Sequence, residues 1–141
     1  MQIGVETAKA VDQRRVFVVD DDDITRTALQ FMLQDEIETH ELSSLEEAYE
    51  KGTGWLMPHL VLLGVGCLGQ NGPETVAKIK AQFPDVRILI VCDKADETVA
   101  VNAIKAGAHG AVLKPLNIEA VRTKVDTVLG RNGAQQLFQL S

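Results

Sequence analysis

The chain has 141 residues, of which 45 % are hydrophobic and 24 % are charged, and its formal net charge at pH 7 is −6. That length suits one globular domain with a real core, and no apolar run approaches the ~20 residues that a membrane-spanning helix needs. The acidic balance argues against direct nucleic-acid contact by this domain. Two cysteines, Cys67 and Cys92, are too few for a disulfide framework. Since residues 1–13 lack a signal-peptide pattern, we expect a cytoplasmic protein.

The chain begins its regular pattern with an apolar, β-branched run at residues 15–19, which predicts a buried strand. Four aspartates follow, and residues 24–34 then carry apolar side chains at helical spacing. The stripe that this helix is expected to bury consists of Ile24, Ala28, Phe31 and Met32. Asp22 or Asp23 is expected to cap the helix, because a carboxylate there accepts a hydrogen bond from an otherwise unpaired backbone amide.

Further strands and helices alternate along the rest of the chain. Residues 36–42 predict a polar strand near a sheet edge, and a short helix follows it. More apolar runs predict strands at residues 60–63, 87–91 and 110–113, and helical patterns lie between and after them. Five strands alternating with five helices predict an α/β domain, in which a parallel sheet is covered on both faces.

In an open parallel sheet, functional side chains collect at the carboxyl ends of the strands. The residues at these positions are Asp20 and Asp21 after the first strand, Gly64 after the third, Cys92 after the fourth, and Lys114-Pro115 after the fifth. Because parallel strands end at the same edge, we expect these residues to form one site. We call the region around Asp20 and Asp21 the acid pocket.

Three motifs lie at or beside these strand ends. They are Val18-Val-Asp-Asp21, Asn71-Gly72, and Ala106-Gly-Ala-His-Gly-Ala-Val-Leu-Lys-Pro115. In these motifs the chain resembles the receiver domain of two-component response regulators. The resemblance covers residues 14–130, which leaves 1–13 as an N-terminal extension and 131–141 as a C-terminal tail or the start of a linker. It implies a doubly wound, flavodoxin-like sheet with the strand order 2-1-3-4-5. It also implies a cis Lys114–Pro115 bond, since only X-Pro bonds adopt the cis form cheaply.

The resemblance assigns a role to each strand end. In this family an aspartate after the third strand accepts a phosphoryl group, and it holds Mg²⁺ together with the acidic pair after the first strand. A hydroxyl after the fourth strand and a lysine after the fifth bind the phosphoryl oxygens. An aromatic side chain in the fifth strand turns inward on phosphorylation.

This chain departs from that pattern at three of the positions. Gly64 stands at the phosphoacceptor position, Cys92 at the hydroxyl position and Ala111 at the aromatic position, whereas Asp20, Asp21 and Lys114 are retained. No Asp or Glu lies between Met57 and Pro73, so a shifted alignment supplies no phosphoacceptor. The resemblance therefore implies an atypical pseudo-receiver of a phosphorelay system, which has no enzymatic activity, is not phosphorylated itself and acts through protein contacts.

The same resemblance leads to expectations about cofactors and partners. With one of three carboxylates missing, we expect no cofactor beyond weak residual Mg²⁺ at Asp20 and Asp21, and without metal Lys114 is expected to neutralise the pair. A protein partner or output domain is expected on the surface made by residues 97–106, 110–113 and 117–129. A homodimer through this surface would use Lys105 and Arg122. No nucleic acid or membrane is expected to bind.

Two other functions stay open. The segment Gly64-Val-Gly-Cys-Leu-Gly69 has the glycine spacing of a dinucleotide-binding loop, so the vacated pocket could bind a nucleotide or another small ligand. That function requires a helix to begin inside the motif, and Asn71, Gly72 and Pro73 intervene here. A redox sensor would use Cys92 with Cys67, and His109 lies near them in the predicted site.

Overall fold

The computed structural model describes residues 12–131 and contains one parallel sheet with the strand order β2-β1-β3-β4-β5. Its strands are β1 (Asp12–Val19), β2 (Ile37–Leu42), β3 (Leu60–Gly64), β4 (Arg87–Cys92) and β5 (Gly110–Leu113). The predicted fold class and the strand order 2-1-3-4-5 are confirmed. As predicted, the polar strand β2 lies at an edge of the sheet, and within it only the end residues Ile37 and Leu42 are buried.

Helices connect the strands. They are α1 (Asp23–Leu33), α2 (Leu45–Lys51), α3 (Gly72–Gln82), α4 (Glu97–Lys105) and α5 (Ile118–Leu129). A single helical turn, Val65–Leu68, follows β3, and short 3₁₀ turns occur at Gly54–Leu56 and Lys94–Asp96. Four of the helices start at a side chain that accepts a backbone hydrogen bond, which satisfies an amide that the helix leaves unpaired. These capping residues are Asp22, Ser44, Asn71 and Asn117.

The core has two halves, one on each face of the sheet. Alternate strand residues point to opposite faces, so Phe17 and Leu63 belong to one half while Val18 and Leu62 belong to the other. Helices α2, α3 and α4 cover the first half, and α1 and α5 cover the second. The central strands are buried on both faces, which explains why their sequences are continuously apolar.

Helix α1 buries a different stripe from the one its apolar residues predict. Its buried residues are Thr25, Leu29 and Leu33, whereas Ile24 is 80 % exposed and Phe31 is 68 % exposed. Thr25 can take an inward position because its hydroxyl donates to the carboxylate of Asp22, which caps the helix. The predicted burial of Ile24 and Phe31 is therefore wrong, because the cap and the spacing of the two leucines set the helix phase.

The folded part extends slightly beyond the predicted boundaries of 14 and 130. Strand β1 begins at Asp12, and the guanidinium of Arg131 forms ion pairs with Glu36 and Asp126. The rest of the predicted N-terminal extension and C-terminal tail lies outside the described residues. Within residues 12–131, no helix combines the length and the apolar character that a membrane span requires.

Candidate functional site

The sheet brings the predicted strand-end residues to one edge. Parallel pairing aligns Gly64 at the end of β3 with Val91 of β4, and it aligns Cys92 with Leu113 of β5. The backbone nitrogen of Lys114 donates to the carbonyl of Cys92 at 2.9 Å, which places this lysine directly beyond the end of β4. The Lys114–Pro115 peptide bond is cis.

Asp20 lies next to Gly64 and fills the space beside it. Its side chain is buried, with 5 % exposure, and its Oδ1 accepts a hydrogen bond from the backbone nitrogen of Asp22 at 2.9 Å. A Cβ atom built on Gly64 would lie 2.5 Å from the Cγ of Asp20 and 2.9 Å from its Oδ1. Real Cβ atoms do not approach other atoms this closely, so the carboxylate of Asp20 occupies the volume of the absent side chain.

Burial governs the protonation of Asp20. Loss of hydration raises the pKa of this carboxyl group above its ordinary value, because a low-dielectric surrounding disfavours the charged form. The hydrogen bond from Asp22 and the positive charge of Lys114 both oppose that rise. The charge of Lys114 therefore stabilises the ionised form of Asp20, although this effect is smaller than the cost of burying the carboxylate.

Asp21 is exposed and lies beside a second glycine. A Cβ atom on Gly66 would be 3.0 Å from the Oδ1 of Asp21, so this carboxylate rests over the helical turn that follows β3. Asp20 and Asp21 are thus directed to Gly64 and Gly66, respectively. Across residues 12–131, no cluster of three or more His, Cys, Asp or Glu side chains is arranged to hold a metal ion.

Residues 16–126, which make up most of the chain, match the family model of the response regulator receiver domain. The protein belongs to this family.

Relatives of known description agree with that assignment. The chain is 32 % identical over 127 residues to a cyclic di-GMP phosphodiesterase of Thermotoga maritima, covering 89 % of this chain and 33 % of that protein. It is 29 % identical over 117 residues to the transcriptional regulatory protein LnrK of Bacillus subtilis, covering 81 % of this chain and 53 % of that protein. The receiver domain of NtrX from Brucella abortus superimposes with a TM-score of 0.74 at 25 % identity, covering 82 % and 98 % of the two chains. The chain therefore spans between a third and about half of these two curated relatives.

The two cysteines of this receiver domain are held in the protonated form. Burial raises the pKa of the Cys92 thiol, and burial together with the charge of Asp21 raises the pKa of Cys67 to about 11. A thiol reacts with oxidants and metals mainly as the thiolate, so these surroundings disfavour redox chemistry. His109 was expected near the cysteines, but it precedes β5 and contacts Ile88 near the start of β4. Cys92 is at the other end of that strand.

The glycine-rich segment does not form a nucleotide-binding turn. Gly64 ends a strand, a helical turn follows it, and α3 begins only at Gly72 with Asn71 as its cap. The carboxylates of Asp20 and Asp21 occupy the space that side chains at the first two glycines of the segment would enter. Because a pyrophosphate needs backbone amides and positive charge, two carboxylates at these glycines oppose its binding.

The structure adds Arg26, which the strand-end argument did not identify. Its Nη1 donates to the backbone carbonyl of Asp20 at 2.7 Å, and its side chain also forms ion pairs with Asp23 and Glu41. The side chain is 16 % exposed, so these contacts hold the first strand end against α1 and β2. A basic residue one turn into a helix that follows an acidic run is the sequence signal that could have indicated this role.

Arg122, one of the two predicted dimer contacts, binds the carboxyl end of α1 within the same domain. Its Nε donates to the carbonyl of Met32 at 2.9 Å, and its Nη1 lies 3.3 Å from a carboxylate oxygen of Glu36. Arg122 therefore joins α5 to the carboxyl end of α1. Lys105, at the end of α4, is exposed as expected.

Proposed function

We propose that this receiver domain transmits a signal through protein contacts and is not phosphorylated itself. The observation that carries the proposal is Gly64 at the end of β3, where family members place the phosphoacceptor. The carboxylate of Asp20 fills the space of the missing side chain, and no acidic residue between Met57 and Pro73 replaces it. The domain is then a regulatory module of a phosphorelay system and not an enzyme.

The other departures support the same proposal. The thiol of Cys92 is a weak hydrogen-bond donor, and its burial leaves it poorly suited to bind a phosphoryl oxygen. Ala111 lies half-buried in β5, opposite Ile90, and has no ring that could turn inward. The phosphoacceptor, the hydroxyl and the aromatic switch are therefore absent together.

We propose the α4–β5–α5 surface as the region that contacts partners. Five of its large apolar side chains are exposed by 37 to 46 %. They are Val99, Val101 and Ile104 on α4, Leu113 on β5, and Ile118 at the start of α5. Apolar groups concentrated on one surface favour protein association over solvation. Since no phosphoryl group shifts the conformation of this surface, we expect one dominant state and constitutive contacts.

The identity of the partner is part of the proposal. Among the relatives, LnrK is named a transcriptional regulatory protein and the Thermotoga protein a phosphodiesterase, and both are longer than this chain. An output region on the same polypeptide is therefore one occupant of the surface, and a second copy of the domain is another. We place this function in the cytoplasm, consistent with two free cysteines.

Treatment with acetyl phosphate and Mg²⁺ tests the absence of phosphorylation. We expect the intact mass of the protein to stay unchanged, while a receiver domain with an aspartate at this position gains a phosphoryl group under the same conditions. A hydroxylamine-labile phosphoryl group on any aspartate would overturn the proposal. Repeating the reaction with Asp20→Asn and Asp21→Asn would then identify the residue that accepts it.

A further inference from the structure

We infer that the carboxylate of Asp20 closes the acid pocket to divalent cations by occupying the volume beside Gly64. The pocket is then not a weakened Mg²⁺ site with one ligand missing, because the carboxylate of Asp20 is directed to Gly64 and buried there. This inference deepens the proposed function. Its test measures cation binding and not phosphorylation. The parent could therefore bind Mg²⁺ without being phosphorylated, or be phosphorylated without binding Mg²⁺ beforehand, so the two proposals can fail separately.

The backbone does not require glycine at position 64. Gly64 has φ −66° and ψ 143°, an extended conformation that any residue adopts. The three atoms that a Cβ would meet first all belong to the carboxylate group of Asp20. Glycine is therefore needed here for the conformation of the Asp20 side chain and not for a turn.

Several hydrogen bonds keep Asp20 in this position. Its backbone nitrogen donates to the carbonyl of Leu42 at 3.1 Å, and its backbone carbonyl accepts from Arg26. The main chain is thus fixed on both sides, and the Oδ1 atom accepts from the nitrogen of Asp22. These contacts help offset the cost of burying a carboxylate, which is otherwise high.

The residues as arranged do not fit Mg²⁺. This ion requires oxygen ligands in a nearly octahedral shell at about 2.0–2.1 Å, and it usually keeps several waters. The carboxylate of Asp20 is buried against Gly64, and that of Asp21 lies over Gly66. The two acids are therefore turned toward different glycines, and the buried one is shielded from the hydrated ion.

A side chain at position 64 should consequently create a cation site even if it supplies no ligand atom itself. In Gly64→Ala the methyl group cannot share space with the Asp20 carboxylate, which has to rotate toward the solvent and Asp21. Two exposed carboxylates beside each other repel and bind a divalent cation in compensation. Gly66→Ala is the matched control, because it adds the same methyl group two residues further along the chain but meets the exposed Asp21, which can move without opening the pocket.

Calorimetric titration with MgCl₂ tests the inference on the parent and on three variants. We expect Gly64→Ala to bind Mg²⁺ with an affinity about tenfold or more above that of the parent and of Gly66→Ala, whose binding should not saturate over the same concentration range. The gain should disappear in the double variant Gly64→Ala/Asp20→Asn. Parent binding as tight as that of Gly64→Ala, or a gain that survives the loss of the Asp20 charge, would overturn the inference.

A second variant keeps the test decisive if Gly64→Ala does not fold. Asp20→Glu leaves Gly64 unchanged, but its additional methylene group does not fit the space that the aspartate fills. The longer carboxylate should then project toward the solvent and produce Mg²⁺ binding, detected as a Mg²⁺-dependent rise in melting temperature. If Asp20→Glu shows no such rise, the carboxylate position is not what closes the pocket.

Discussion

His109 and Ile88 exchange two hydrogen bonds where β4 and β5 begin. The backbone nitrogen of His109 donates to the carbonyl of Ile88 at 2.7 Å, and the backbone nitrogen of Ile88 donates to the Nδ1 of His109 at 3.0 Å. An imidazole nitrogen accepts a hydrogen bond only when it carries no proton. Burial, together with the charges of Arg87 and Lys80, lowers the pKa of His109. The ring therefore joins the two strands in its neutral form.

This pairing predicts a loss of stability in mild acid. The pKa of His109 is lower in the folded protein than its ordinary value of 6.5, so the unfolded chain takes up the proton first as the pH falls. The stabilisation is present above that value and is lost as the pH falls toward the folded pKa. We expect the free energy of unfolding in urea to decrease between about pH 7.5 and about pH 5.5.

The control variant for this prediction is His109→Asn, which offers an oxygen acceptor that does not titrate in this range. Its stability should decline less over the same pH interval than that of the parent. His109→Ala, which removes the acceptor, should cost about 1 kcal/mol at neutral pH. Equal pH dependence in the parent and His109→Asn would show that this ring does not cause the decline.

The sequence predicted the sheet and the position of the site because both depend on periodic patterns. Buried parallel strands are continuously apolar, and their carboxyl ends necessarily share an edge, so Asp20, Gly64 and Cys92 could be assigned to one site. The orientation of Asp20 toward Gly64 could not be predicted, since it depends on side-chain packing between residues far apart in the chain. The same limit applies to Arg26, whose backbone contact depends on how α1 meets the sheet.

The face of α1 was mispredicted for a related reason. Hydrophobicity alone favours burial of Ile24 and Phe31, but Thr25 is buried instead because its hydroxyl has a hydrogen-bond partner in Asp22. A polar residue with a local partner can replace an apolar one in the core at little cost. Such a partner is identified from the structure more readily than from the spacing of apolar residues.

Gly64→Asp should destabilise the domain in the absence of metal. The new side chain enters the volume of the Asp20 carboxylate and places another negative charge beside it, so we expect a loss of about 1–3 kcal/mol in chelator. Gly64→Asn has nearly the same size without the charge, and the difference between the two variants measures the repulsion. Mg²⁺ should restore more of the stability of Gly64→Asp than of Gly64→Asn, because only the aspartate adds a further carboxylate ligand. Greater stability of Gly64→Asp than of the parent in chelator would contradict the placement of Gly64.

Strong switching should not return in Gly64→Asp. Cys92 still lacks the hydroxyl that binds a phosphoryl oxygen, and Ala111 still lacks the aromatic ring. We therefore expect acetyl phosphate to leave amide hydrogen exchange in α4 and β5 of this variant nearly unchanged. A large change in exchange there would mean that the missing groups are not needed for switching.

Gly52→Ala should destabilise the core beneath α2. A Cβ on this residue would lie 2.7 Å from the Cε1 and 2.8 Å from the Cζ of Phe83, although its φ of −84° suits alanine. The Phe83 ring is confined by Phe17 and Tyr49, whose ring centroids lie 6.3 and 6.0 Å away. Overpacking of this kind costs about 1–3 kcal/mol, measurable by urea denaturation. If steric conflict is the cause, Gly52→Ala should be less costly in a Phe83→Leu background.

Self-association through the α4–β5–α5 surface should respond to substitutions on α4 and not to those on α1. A two-fold dimer places the same patch on both partners, so each substitution acts twice across the interface. Ile104→Glu and Lys105→Glu are suitable variants, because Ile104 is 39 % exposed and Lys105 is exposed, and neither change empties the core. Arg122 is unsuitable, since reversing its charge would also break the contacts with Met32 and Glu36.

The control is Ile24→Glu, which alters an apolar residue on α1 that is 80 % exposed. Sedimentation equilibrium across a concentration series should show a weak dimer for the parent and for Ile24→Glu, with weaker association for both α4 variants. A strict monomer at high concentration, or a dimer that neither α4 variant affects, would exclude this surface as the site of self-association.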